Sequence, residues 1–159
     1  MRNIGQARLA LLAAAMALGA FLGPSPVLGA SFTVDATHDA VDASPGDGVC
    51  ADAGGACTLR AAVMETNALA GEDTIVLAQN VYALSILGMS EDGSMIGDLD
   101  VYGPVTIRGA GSARTLVDGN ALDRVLDTIG PVSLEDLALQ NGDSECRAAL
   151  AYTTVASSH

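Results

Sequence analysis

Residues 105–142 read VTIRGAGSARTLVDGNALDRVLDTIGPVSLEDLALQNG. Within them, VTIRGAG at 105–111 and LALQNG at 137–142 repeat one pattern, apolar-x-apolar-polar closed by Gly, after about 30 residues. Between the two copies, TLVDGN at 115–120 and RVLDTIG at 124–130 add shorter apolar runs with turns of their own. Short strands, three to a coil and returning after about 20 to 35 residues, are how a β-solenoid is written. A sandwich also uses short strands with frequent turns, but it calls for longer alternating strands and hairpin turns such as Asn-Gly with a partner on each side. Only QNG at 140–142 has that form, and it ends the last run. The pattern favours the solenoid.

Upstream the same text continues. Apolar runs at residues 74–77 (TIVL), 81–87 (VYALSIL) and 99–102 (LDVY) precede 105–108 (VTIR), 115–117 (TLV), 124–127 (RVLD) and 132–139 (VSLEDLAL). They are short, rich in Val, Ile and Leu, and broken by Gly, Asn or Asp, so they read as strands. Residues 31–41 open with alternating Phe32 and Val34 and begin as a strand. Residues 42–56 (DASPGDGVCADAGGA) are loop, because Pro, Gly and Asp leave no periodicity. Over residues 58–69 the period becomes helical: Leu59, Ala62, Val63 and Thr66 share one face, Thr58 can cap the start and Gly71 can stop the end. Arg60, Glu65 and Asn67 fall on the other faces, and Arg60 and Glu65, five apart, are not a helical ion pair. Arg60 is expected to bond loop carbonyls or a loop aspartate, a structural role.

The chain start is of another kind. Arg2 and Arg8 precede LALLAAAMALGAFL at 9–22 and then GPSPVLGA, the order of a secretory signal peptide cut near Gly29 or Ala30. A membrane anchor is the rival, but the apolar run is shorter than the roughly 20 residues a spanning helix needs. Removing residues 1–30 leaves 5 basic against 19 acidic residues and no lysine at all. So acidic a surface argues against nucleic acid and anionic lipid as partners. An exported chain meets an oxidising compartment, where Cys50 and Cys57 are expected to form a disulfide. Their spacing is neither the C-x-x-C of a redox catalyst nor a zinc knuckle with two further ligands. Cys146 is left over, within a terminal text (ECRAALAYTTVASSH) that has no strand period.

The stretch VDASPGDGVCADAGGACTLRAAVMETNALAGEDTIVL resembles the N-terminal module of the CSLREA-domain family of exported bacterial proteins. The family's Cys-Ser-Leu-Arg-Glu-Ala core is matched at Cys57, Leu59, Arg60 and Ala62, while Ala61 stands where the core has Glu. GDLDVYGPVTIRGAGSARTLVDGNALDRVLDT is similar to the segment that succeeds the module in that family, the opening coils of a right-handed parallel β-helix of pectin-lyase-like type. The resemblance runs from about Phe32 to Gly142. It implies a mainly β protein: an N-terminal cap with one short α-helix at 31–71, the first β-helix coils at 72–142, and an irregular tail at 143–159. The tail reads as a truncated or frame-shifted end, with a short helical cap as the alternative. Leu59, Arg60, Ala62, Val63 and Asn67 would be the structural residues of the cap. In longer relatives the later coils would serve adhesion or binding to an unidentified extracellular ligand or surface.

Catalysis is not expected. Asp98, Asp100, Asp118, Asp123 and Asp127 could supply paired carboxylates for glycoside hydrolysis, and Arg108 or Arg124 a lyase base. However, Asp98 and Asp100 alternate with Leu99 and Val101 as the wet side of a strand, and Asp118-Gly119-Asn120 is a turn. A fragment of a carbohydrate-active enzyme is the second reading. A third is a small calcium module built from Asp39, Asp42, Asp47 and Asp52, although the loop lacks the D-x-[DN]-x-[DN]-G pattern. No cofactor is otherwise implied.

Overall fold

The computed structural model describes residues 28–88 and 91–143. The expected export signal, apart from its last residues, and the tail with Cys146 lie outside the described residues. The expected mainly β architecture with one short helix is present. The strands are β1 (Ser31–Thr33), β2 (Asp73–Val76), β3 (Asn80–Ala83), β4 (Leu99–Val101), β5 (Val105–Arg108), β6 (Thr115–Asp118), β7 (Leu126–Thr128), β8 (Val132–Glu135) and β9 (Ala138–Gln140), with helix α1 (Leu59–Ala68) between β1 and β2.

Three parallel sheets result among the described residues, in the orders β1-β2-β5-β8, β3-β6-β9 and β4-β7. From β2 onward the chain visits the sheets in strict rotation: first, second, third, then first again. All the pairings are parallel, which the antiparallel hairpins of a sandwich would not give.

Register explains why these short strands hold. Phe32 pairs with Ile75, Ile75 with Ile107 and Ile107 with Leu134, so one inward rank of the first sheet is apolar throughout. The second sheet aligns Tyr82, Val117 and Leu139, and the third aligns Leu99 with Leu126. All of these line or pack against one core together with Leu59, Ala62 and Val63 of α1. Each fully buried Ile, Leu or Val contributes about 1.5–3 kcal/mol.

Three strand expectations change. Of the run 81–87 only the start is strand, since β3 is Asn80–Ala83. The run 132–139 is two strands, β8 and β9, because Asp136 takes φ 53° and turns the chain between sheets. Close packing of successive corners demands glycine at Gly109, whose added Cβ would overlap the Asp136 carbonyl. The run 124–127 also shifts: the strand is Leu126–Thr128, and Arg124 lies ahead of it. The helix begins as expected, with Thr58 Oγ1 accepting from Ala61 N at 3.1 Å. It ends at Ala68, with Leu69 as cap and Gly71 following at φ 130°.

Candidate functional site

The Cys50–Cys57 disulfide is formed, with Cα atoms 5.0 Å apart. Cys57 and the helix start lie in the core, so the bridge ties the 42–56 loop to the first turn of α1. Of the loop acids, Asp42, Asp47 and Asp52 each close a turn. Asp42 accepts from Ser44 N at 2.7 Å and Ala51 N at 3.0 Å. Asp47 accepts from Val49 N. Asp52 accepts from Gly54 N and Ala56 N and meets His38 Nε2 at 2.7 Å. The His38 hydrogen bond, with the Ala56 and Gly54 amides, lowers the Asp52 carboxyl to about 2.

Asp39 is drawn elsewhere, into the body of the protein. Its carboxylate meets Arg60 and also accepts Ser85 N at 2.7 Å and Ile86 N at 3.0 Å, just past β3. Burial pushes the Asp39 carboxyl up, but the Arg60 hydrogen bond, these amides and the guanidinium charge outweigh it, so it ends below the usual 3.8. Arg60 finds the expected loop aspartate, and its carbonyl partners are Ser94, Gly97 and Asp98, at 3.0, 2.7 and 3.1 Å. Arg60 and Glu65, assigned by helical period to the outer faces, are both fully buried. Glu65 accepts from the backbone N–H groups of Gly46, at 2.6 Å, and Gly48, pulling the loop over the helix.

The edge of β4 opposite β7 is where these parts meet. Leu99 N bonds Val125 O and Ile129 N bonds Val101 O, so the N–H and C=O of Asp100 point away from β7. There Ser94 Oγ accepts from Asp100 N at 2.7 Å, and Asn67 Nδ2 donates to Asp100 O at 2.6 Å. Asn67 Oδ1 accepts from Tyr102 N at 2.9 Å. Side chains thus take up the backbone groups on the outer edge of β4. Leu59, Ala62 and Val63 fill the core below.

Asp98 and Asp100 do not form a wet strand face. Asp98 is 1% and Asp100 0% exposed, because α1 and residues 91–98 cover that side. Period-two alternation separates two faces but does not say that the outer one is open to water. Asp100 pairs in register with Asp127 on β7, and Asp98, Asp100 and Asp127 bring carboxylate oxygens within 4.8 Å of one another. Arg124 bridges two of them, Nε to Asp98 Oδ2 at 2.8 Å and Nη2 to Asp127 Oδ2 at 3.2 Å. Asp100 Oδ2 accepts from Ser94 N, whereas its Oδ1 is buried with no hydrogen-bond partner. Burial raises the Asp100 carboxyl to about 6, against the Ser94 amide and with Asp98, Glu91 and Asp127 adding to the rise. Burial likewise raises Asp98, opposed by Arg124. Sequence reasoning found these three aspartates but weighed them for catalysis; the parallel register of β4 and β7 is what assembles them.

The remaining acids raised for glycan cleavage are engaged. Asp118 accepts from Asn120 N, Gln140 Nε2 and Asn141 Nδ2, and Asp123 is buried. Arg108 pairs with Glu135 at 2.7 Å. No family model, no curated protein and no solved structure matches this chain.

Proposed function

We propose that this chain is an exported, non-enzymatic module: a disulfide-pinned cap over the first coils of a right-handed parallel β-helix, of the kind the CSLREA resemblance implies. The observation that carries the reading is the Asn67–Asp100–Tyr102 contact, in which the helix side chain takes up the backbone groups that a preceding coil would otherwise bond. Open strand edges recruit other chains, and repeat arrays need terminal caps. The rotation of the chain through three parallel sheets supports the coil reading. The disulfide, and the fact that no helix among the described residues is long and apolar enough to cross a membrane, are compatible with export. In longer relatives, further coils would extend the surface for adhesion or binding.

The test is amide exchange and light scattering on the full chain and its Asn67→Ala variant. A cap predicts faster exchange at Tyr102 N–H and concentration-dependent association of the variant. Unchanged protection at Tyr102 together with a monomeric variant would refute the capping role. Incubation with pectin-like polymers should give no cleavage; release of oligosaccharide would favour the enzyme reading instead.

A further inference from the structure

Three carboxylates and one guanidinium share the space outside β4 and β7. If all three aspartates are ionised, the group carries two uncompensated negative charges beside Arg124. Buried charge of that size is costly unless it is paired or coordinated to a metal. Nearby protein groups leave part of the need unmet: Arg124 engages Oδ2 of Asp98 and Oδ2 of Asp127, while Asp100 Oδ1 is buried and accepts from nothing. An orphan carboxylate oxygen inside a protein calls for an explanation, and a water or an ion that completes it is among the few available. The same Asp100 is otherwise firmly held, through Ser94 N at its Oδ2 and through its own backbone N–H and C=O. The orphan oxygen is therefore preorganised.

We propose that Asp98, Asp100 and Asp127 bind a divalent cation, calcium by preference, between the first two turns of chain that pass through the third sheet. The donor set is oxygen alone, with neither imidazole nor thiolate, which suits a hard cation. Oxygens bound to one calcium at about 2.3–2.6 Å can stand up to roughly 5 Å apart, and these lie within that span. Calcium tolerates irregular coordination completed by water, whereas magnesium demands near-ideal octahedral geometry and sheds its water reluctantly. Asp127, on the partly exposed strand, gives the path to solvent. Such an ion would join two successive coils side by side. It is distinct from the loop set Asp39, Asp42, Asp47 and Asp52, whose carboxylates are committed to turns and to Arg60.

The experiment is calorimetric titration and thermal melting of the full chain, stripped with EDTA, in CaCl2, in MgCl2 and in NaCl of equal ionic strength. Saturable calcium binding near one ion per chain with a rise in Tm is expected, with magnesium at least tenfold weaker. Asp127→Asn, on the more exposed strand, and Asp100→Asn, which keeps an oxygen for Ser94 N, should each weaken calcium binding at least tenfold. Circular dichroism checks that both variants fold. Asp47→Asn should bind as the parent does. No calcium-specific heat or Tm shift, or undiminished binding by a folded Asp127→Asn, would overturn the proposal, as would loss of binding in Asp47→Asn alone. Magnesium binding as tightly as calcium would overturn the preference for calcium.

Discussion

Asp39 and Arg60, 21 positions apart, meet inside the protein as a two-pronged ion pair, with Nε to Oδ1 at 2.6 Å and Nη2 to Oδ2 at 3.0 Å. The Arg60 side chain is 0% and the Asp39 side chain 2% exposed. Breaking such a pair leaves a buried charge without its counterpart, at a cost of about 3–5 kcal/mol. Arg60→Ala should therefore destabilise by about that much, and more than Asp39→Asn, which keeps an acceptor for Ser85 and Ile86. Urea unfolding of the two variants beside the parent checks the order. Replacement of Arg60 with a loss under about 1 kcal/mol would deny the pair its role.

Glu65 holds the loop by two backbone amides. Glu65→Ala should cost about 1–3 kcal/mol by leaving the Gly46 and Gly48 N–H groups without their acceptor. Limited proteolysis should then cut first within residues 42–56.

The disulfide closes a short loop, seven positions from Cys50 to Cys57. Loop-closure entropy predicts about 2 kcal/mol of stabilisation. Cys50→Ala/Cys57→Ala, compared with the parent in chemical unfolding, measures it.

Acid should loosen the loop that packs on α1. Asp52 titrates near 2 in the folded chain against an ordinary value of 3.8, and Asp39 is also lowered. In each case the unfolded chain binds its proton first as pH falls. The stability these groups contribute is therefore complete above about pH 4 and is lost as pH drops toward 2. His38→Ala should remove the His38 part of the Asp52 share, so parent and variant differ more in Tm at pH 5 than at pH 2. His38 is half exposed, so the difference should be small. Melts across that interval read it directly.

Ile107 sits between Ile75 and Leu134 in the apolar rank of the first sheet. Ile107→Ala should cost about 2–5 kcal/mol, since β strands on both sides fix the cavity it leaves. A loss near zero in thermal or urea unfolding would show that the rank does not pack as a unit.

Local chemistry made the helix and its tether legible. Thr58, the apolar spacing of Leu59, Ala62 and Val63, and Gly71 mark the helix within a residue, and the two cysteines mark its tie to the loop. The strands were also legible one at a time, from β-rich runs between turn residues. What depended on the third dimension was not. Asp136 could have continued a strand, and only its positive φ, imposed where successive corners stack, divides 132–139. The alternation of Asp98 and Asp100 with Leu99 and Val101 named two faces correctly, but burial of the polar one comes from residues 91–98 and α1 folding over it. Arg60 had a foreseeable aspartate; its three carbonyls come from a turn more than 30 residues downstream.

Those carbonyls carry a last consequence. Arg60 grips oxygens of the peptide chain at Ser94, Gly97 and Asp98, atoms that every amino acid possesses. Such a clasp reads the shape of the turn and is blind to most of its spelling. Mutational drift can thus rewrite exposed positions such as Met95 without unseating the helix, provided Gly97 keeps its φ of 67°. The same helix could be grafted onto other folds that present a turn of this outline.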